Sequence, residues 1–233
     1  MNSAVILAGG LGTRLRSVLP DIPKPMAPIN GRPFLEILID YWITQGIKKF
    51  ILSVCYRHEV IINHFGNNYN GALIEYVIEN EPLGTGGALM LASKKLSCNQ
   101  PFLLLNGDTF FEIDFNLLKN TYKKNNADWC FSLFRIGENS RYMSMELSNL
   151  GVIKSLNSGF SKHDTLVNGG VYLVNPLALR FNNTSKIIIH SLEDNIFPHA
   201  MSIGQKMIGQ EFNGLFIDIG IPEDYTKAQL IFG

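Results

Sequence analysis

The chain has 233 residues, 46% of them hydrophobic and 17% charged, a balance that suits a folded globular protein and argues against intrinsic disorder. Twenty lysines and arginines are matched by twenty aspartates and glutamates, so no overall field advertises nucleic acid or an anionic membrane, and any anion must be held by a local arrangement. Cys55, Cys98 and Cys130 show no CxxC spacing and the five histidines neither HxxxH nor HExxH, which argues against a disulfide framework and a zinc site.

No apolar run reaches the roughly 20 residues that span a bilayer. The first run, AVILA at 4–8, is too short for a signal-peptide core and lacks a basic leader, so a cytoplasmic location is expected. This run reads instead as a buried strand. It leads into Gly9, Gly10 and Gly12, then Thr13 and Arg14, and on to IPKPMAPINGRPF at 22–34, where Lys24 lies between two prolines. Phe34, Leu35, Leu38, Ile39 and Trp42 recur at helical spacing, with Gly46 placed as a stop. FILSV (50–54), ALIEYVI (72–78), FLLL (102–105) and DWCFSLF (128–134) are further strands, several apolar enough to be buried on both faces. GGALMLASKKL (86–96) and DFNLLKNTYKK (114–124) read as helices among them. The alternation predicts right-handed crossovers and an α/β fold with a Rossmann-like mixed, mostly parallel sheet flanked by helices.

From about residue 141 the pattern changes: RYMSMEL, GVIKSL and GGVYLV are short strands without long helices between them. PEDYTKAQLIF (222–232) opens with a proline and two acids and closes the chain as a helix. With no linker, repeat or low-complexity tract, residues 1–233 are expected to form a single domain. The change of pattern divides it into halves of about 1–140 and about 141–233.

In an open parallel sheet, ligands bind beyond the carboxyl ends of the strands, where Gly9, Gly10 and Gly12 fall. Glycine admits φ > 0 and lets amide groups approach a ligand with no Cβ in the way, so such a loop can cradle phosphates. It is not a dinucleotide fingerprint, because Leu15 stands where GxGxxG needs glycine or alanine, and no GK[ST] follows to make a Walker A loop. Arg14 offers a planar fork to phosphate oxygens and Lys24 a point charge, on a segment that its prolines are expected to hold extended. The plainer alternative is a glycine-rich turn with two solvated cations.

LAGGLGTRL followed by PKPMAPINGRPFLE resembles the signature of the sugar-1-phosphate nucleotidylyltransferases. The similarity continues through EPLGTGGAL (81–89), LLNGDTF (104–110), NGGVYLV (168–174) and DIGIPEDY (218–225), six blocks in order over nearly the whole chain. The resemblance implies the nucleotide-diphospho-sugar transferase type of fold, with about 1–140 as its nucleotide-binding half and about 141–233 as its sugar-binding half, and a reaction in which a sugar 1-phosphate attacks the α-phosphorus of an NTP and releases pyrophosphate. A phosphate monoester has a second pKa of about 6, so no general base is required. The difficulty is positioning two polyanions and neutralising charge as the leaving group departs.

By this resemblance Leu7, Ala8, Gly9, Gly10, Gly12 and Thr13 would bind the nucleotide together with Arg14 and Lys24, the two cations expected to be catalytic. Glu81 and Gly86 would meet the base; a carboxylate suits guanine, which presents N1–H and an exocyclic amine. Asp108 and Asp218 would ligate Mg²⁺. The sugar phosphate would lie against Asn106, Gly107, Asn168, Gly169, Gly170 and Glu193. Many relatives carry an EKP-like lysine before the NGGVY block; here the region reads SLNSGFSKHDTLVNGG, with Lys162 as the candidate substitute. Phe216 and Ile221 stand where tryptophan and threonine are common.

Within the family, RLRSVLPDIPKPMAPINGRPFLE with EPLGTGGA is most similar to the D-glycero-D-manno-heptose 1-phosphate guanylyltransferases. Mannose-1-phosphate guanylyltransferase and N-acetylmuramate-1-phosphate uridylyltransferase are the alternatives. A reading from another class is a catalytically silent nucleotide-sugar sensor or subunit. The expected partners are an NTP, GTP in this reading, and a sugar 1-phosphate, with neither nucleic acid nor membrane and with room for a homodimer.

Overall fold

The structure is a computed structural model that describes residues 2–10, 12, 15, 22–97, 100–136, 141–157, 164–180 and 190–232. Thr13, Arg14 and Lys162, expected at the site, lie outside the described residues.

In chain order the elements are β1 (Ser3–Leu7), β2 (Pro28–Ile29), β3 (Arg32–Pro33), α1 (Phe34–Thr44), β4 (Lys49–Val54), α2 (His58–Phe65), β5 (Asn68–Tyr69), β6 (Ala72–Ile78), α3 (Gly84–Ser93), β7 (Phe102–Asn106), β8 (Thr109–Phe111) and α4 (Phe115–Asn125). There follow β9 (Trp129–Ile136), β10 (Ser144–Leu147), β11 (Ile153–Asn157), β12 (Thr165–Val174), α5 (Phe197–Ser202), β13 (Met207–Glu211), β14 (Phe216–Asp218) and α6 (Pro222–Ile231). The main sheet runs β11-β10-β12-β7-β1-β4-β6-β5, with β9 paired to β12 and β13. Its centre, β7-β1-β4-β6, is parallel, whereas β12 joins β7 antiparallel. The mixed, mostly parallel sheet flanked by helices is thus the observed fold.

The central strands are apolar on both faces because both faces are covered. Along β1, Ala4 and Ile6 point into a core layer with Phe34, Trp42 and Phe115, while Val5 points into the other with Leu89, Trp129 and Phe197. Leu103 and Leu105 divide from Leu104 in the same way. This period-two split is why a single apolar run feeds two cores. Each fully buried large side chain contributes about 1.5–3 kcal/mol.

α4 begins one residue later than DFNLLKNTYKK suggests, because Asp114 serves as its N-cap: its Oδ1 accepts from the amides of Asn116 (2.8 Å) and Leu117 (3.2 Å). Asp114→Ala is expected to lower stability by ~1 kcal/mol, read as a shift in the urea midpoint without a change in slope.

α2 has no counterpart among the sequence-predicted elements: it is only eight residues long, it buries Ile61 and Phe65, and Arg57 precedes it in the left-handed region (φ 49°) with no side-chain cap, so it lacks an ordinary start signal. The expected extended course of the Lys24 segment is corrected. Pro23 is extended, but Lys24–Met26 form one 3₁₀ turn, closed by Met26 N–H to Pro23 O (2.7 Å) and Ala27 N–H to Lys24 O (3.0 Å). A proline φ near −65° fits a 3₁₀ turn as readily as an extended chain.

α6 packs back on the β2–β3 hairpin that follows Lys24. Tyr225 Oη and Gln229 Nε2 both donate to Pro28 O (2.6 Å each), and Asn30 N–H donates to Gln229 Oε1 (2.7 Å). Among the described residues no helix is long and apolar enough to cross a membrane.

Candidate active site

The parallel strands set their carboxyl ends level: Leu7 of β1 is in register with Ser53 of β4 and Asn106 of β7. Beyond β1, Ala8 N–H donates to Ser53 O (2.8 Å). The glycines that follow have separate reasons. A Cβ on Gly9 would lie 2.6 Å from Glu79 Oε1, and one on Gly12, whose φ is +59°, would lie 2.8 Å from Lys24 Cβ. A Cβ on Gly10 would meet nothing within 4 Å among the described residues. Gly9 and Gly12 therefore admit the protein's own neighbours, whereas Gly10 opens onto free space.

β7 turns into β8 at Gly107, whose N–H donates to Leu7 O (3.0 Å); a Cβ there would lie 2.6 Å from that oxygen. This close approach places Asp108 at the mouth of β1. Lys24 Nζ, with a side chain only 9% exposed, donates to Asp108 Oδ2. Burial acts to raise the Asp108 carboxyl, but the Lys24 ammonium outweighs it and holds the group below the usual carboxylate range.

The β8–β14 ribbon pairs Thr109 with Asp218, and Ile219 N–H donates to Asp108 O (3.0 Å), so the two aspartates arrive side by side from distant parts of the chain. Asp218 Oδ1 accepts from Gly220 N–H (2.7 Å), and its Oδ2 accepts from Arg141 Nη2 (2.8 Å). The same Nη2 donates to Asp224 Oδ2 (2.8 Å). Burial works against the Arg141 cation, but these two carboxylates outweigh it and push the group above its ordinary value. A Cβ on Gly220 would lie 2.7 Å from Asp218 Oδ1 and 3.3 Å from Lys24 Nζ, which puts the ammonium beside the second carboxylate as well. Lys24, Asp108 and Asp218 thus share one crevice.

Two cavities meet there. One of about 240 Å³ is walled by Gly9, Gly10, Glu79, Pro82, Gly84 and Thr85, among others. The other, of about 200 Å³, is walled by Arg141, Tyr142, Asn168, Glu193, Phe216 and Asp218, among others. Asn106 and Asp108 line both. Among the described residues Asn106 Oδ1 is buried with no hydrogen-bond partner, an acceptor of the kind that a bound polar group satisfies.

In the second cavity Asn168 Nδ2 donates to Tyr172 Oη (2.7 Å), and Asn168 Oδ1 accepts from Gly170 N–H (3.1 Å). Here too the glycines serve the fold. A Cβ on Gly169 would lie 2.5 Å from Phe111 Cδ1, and one on Gly170, at φ +71°, 2.9 Å from Asn106 Nδ2. Glu193 Oε2 accepts from Thr85 Oγ1 (3.3 Å) and Ser191 Oγ (3.1 Å), which ties this wall to α3.

On the base side the structure departs from expectation. Glu81 is exposed and does not line the first cavity. Glu79 does: it is buried, its Oε1 accepts from Ser53 Oγ (2.9 Å) and its Oε2 from Leu83 N–H (3.0 Å). Gly86 is buried, its N–H donates to His190 O (2.8 Å), and a Cβ there would lie 2.8 Å from Ile196 Cγ1. Its bareness lets α3 pack on the segment after His190. Gly84, at φ +72°, lines the cavity instead.

Sequence reasoning missed Glu79, Arg141 and Tyr142. An acid one residue past a parallel strand is a usable signal for Glu79. For Arg141 there was none, because its place depends on partners 77 and 83 residues away.

Among the described residues no group of three or more His, Cys, Asp or Glu side chains could hold a metal ion. Asp108 and Asp218 nonetheless suit a divalent cation of the kind held by one or two carboxylates and completed by substrate phosphates and water.

A family model described as nucleotidyl transferase matches residues 3–232. A D-glycero-alpha-D-manno-heptose 1-phosphate guanylyltransferase of Campylobacter jejuni is 41% identical over 222 residues, covering 95% of this chain and 96% of the relative. One from Aneurinibacillus thermoaerophilus is 40% identical, with 97% and 96% covered. Among solved structures, HddC from Yersinia pseudotuberculosis superposes with a TM-score of 0.86 at 35% identity over the whole of both chains, as does HddC complexed with GMP-PN. A UDP-glucose pyrophosphorylase with UDP-glucose bound, 18% identical over 100% of this chain and 98% of its own, shares the fold at a TM-score of 0.81.

Proposed function

The chain belongs to the nucleotidyl transferase family, and from that premise we propose that it joins GTP to D-glycero-α-D-manno-heptose 1-phosphate in the cytoplasm. A phosphate oxygen of the sugar 1-phosphate attacks the α-phosphorus of GTP, the bond from that phosphorus to the bridging oxygen breaks, and pyrophosphate leaves with the electron pair. The observation that carries this reading is the pair of cavities meeting at Asn106 and Asp108, with Lys24 hydrogen-bonded to that Asp108. Such a junction is what two phosphates need if one is to attack the other. The relatives named above supply the choice of base and sugar.

In this reading the first cavity, built chiefly by the first 140 residues, takes the nucleotide. The loop at Leu7, Ala8, Gly9, Gly10 and Gly12 brings backbone amides to the triphosphate, and Arg14, outside the described residues, is assigned to the same phosphates by the family motif. Lys24 offsets charge at the reacting phosphorus. Asp108 and Asp218 would hold Mg²⁺, which when bound would supply positive charge to offset that of the phosphates. The second cavity takes the sugar, with Asn106 Oδ1 as an acceptor for a hydroxyl.

Base reading falls to Glu79, which lines the cavity, and not to the exposed Glu81. A carboxylate can accept about four hydrogen bonds, so its two present donors leave room for guanine N1–H and the exocyclic amine. Glu79→Gln is expected to raise the KM for GTP about 10-fold or more, and Glu81→Gln to change it little, in steady-state assays at saturating acceptor.

Pyrophosphate release across four NTPs and a panel of sugar 1-phosphates, with Mg²⁺ or with EDTA, tests the whole reading. Turnover confined to GTP with the heptose phosphate and abolished by EDTA is the expected result. Preference for mannose 1-phosphate or for UTP would replace the substrate assignment, and silence with every pair would overturn the reaction.

A further inference from the structure

A sugar 1-phosphate carries close to two negative charges near neutrality. The cavity offered to it is lined by three carboxylates, Asp108, Asp218 and Glu193, and among the described lining residues by a single cation, Arg141. Lys24, the other nearby cation, is already drawn to Asp108. An acceptor of this charge requires a positive group on the cavity wall.

We propose that Arg141 receives the phosphate of the acceptor, with the phosphate taking the place that Asp218 holds on the guanidinium while Asp224 keeps that group in position. This rests on the guanylyltransferase reading of the same site. A guanidinium grips phosphate with two parallel N–H groups along one edge, and both edges that offer such a pair include Nη2. Here Nη2 is bonded to Asp218 and Asp224 together, so a bidentate phosphate must displace one of them.

The choice between the two carboxylates follows from their places. Asp218 lines the acceptor cavity, and Asp224 does not. Asp224 is also fixed on α6 by Lys227, whose Nζ donates to its Oδ1 (3.0 Å). The Tyr142 ring, with its centroid 4.9 Å from the Arg141 guanidinium carbon, flanks the group and limits its swing. Displacement frees Asp218 Oδ2 for the divalent cation that accompanies phosphate. Acceptor binding thereby prepares the second carboxylate for its role.

The test uses the full chain and three proteins: wild type, Arg141→Ala and Arg141→Lys. In steady-state assays Arg141→Ala is expected to raise the KM for heptose 1-phosphate roughly 30-fold and to leave the KM for GTP within about twofold. Arg141→Lys is expected to recover part of the loss, because it restores the charge without the fork. Calorimetry on nucleotide-free protein provides a readout independent of turnover. Wild type is expected to bind heptose 1-phosphate well above the unphosphorylated heptose, and Arg141→Ala to lose that preference. An unchanged acceptor KM in Arg141→Ala overturns the proposal. So does an equal rise in both KM values accompanied by a lower Tm and no recovery with lysine, which would mark Arg141 as a structural strut. If wild type shows the phosphate preference through Arg141 yet turns over no pair, the anchor stands and the reaction falls. If wild type binds no sugar phosphate, both fall.

Discussion

Lys24→Ala is expected to lower kcat by about 10²–10³-fold, the loss seen when one preorganised donor to a developing charge is removed. Three features of the structure make this position expensive to change. The side chain is almost wholly buried, so its ammonium is fixed before substrate arrives. It sits against Asp108 and beside Asp218, between the two cavities. Its backbone is set by a 3₁₀ turn between prolines and cannot readily bring another residue into its place. Truncation also leaves Asp108 without its partner, so that carboxyl should drift upward from its depressed value. Asp108→Asn is expected to impair turnover by a comparable factor and to leave the Lys24 ammonium without its counter-charge; changing both removes the unpaired charge, so the two variants together should cost less than the product of their separate losses. Single-turnover pyrophosphate release, with Tm values to establish that each variant folds, separates these outcomes. Wild-type rates in both single variants would remove Lys24 and Asp108 from the reaction.

Gly107→Ala is expected to destabilise the protein by about 3 kcal/mol, whereas Gly10→Ala is expected to leave stability nearly unchanged and weaken GTP binding. The contrast follows from what each missing side chain makes room for. At Gly107 an added carbon would lie 2.6 Å from Leu7 O and 3.0 Å from Ala8 Cα, both backbone atoms of a central strand end that cannot yield without moving the sheet. The hydrogen bond from Gly107 N–H to Leu7 O would be strained with it, and Asp108 displaced. At Gly10 the added carbon meets no atom of the described residues within 4 Å and projects into the space proposed for phosphate. Urea unfolding and calorimetric titration with GTP measure the two effects independently. A stable Gly107→Ala, or a Gly10→Ala with unaltered GTP affinity, would show that the glycines had been assigned to the wrong duties.

The sequence made the parallel centre of the sheet legible because AVILA, FILSV and FLLL are short apolar runs buried on both faces, while ALIEYVI alternates between buried Ala72, Ile74 and Val77 and the outward Leu73 and Ile78, patterns that stand out without any tertiary information. The meeting of Lys24, Asp108 and Asp218 was legible only through motif resemblance, since nothing local in DIGIPEDY announces that Asp218 will pair opposite Thr109. Glu79 and Arg141 escaped because their importance lies in which cavity they face, a property settled by strand register and by distant carboxylates. The glycines were read in the right places but for too few reasons. The space beside Gly86, Gly107, Gly169 and Gly170 is filled by the protein's own atoms, although Gly169 and Gly170 also line the second cavity, where they are expected from the sequence.

The grip of α6 on the β2–β3 hairpin bears on how the protein is born. Ribosomes deliver residues 222–231 after every other described element, yet Tyr225 and Gln229 brace the loop that carries Lys24, and Asp224 steadies Arg141. A nascent chain can therefore assemble its parallel sheet while both cations still lack their supports. Competence comes last, as a late clasp, and a half-made molecule tethered to its ribosome would sequester no nucleotide.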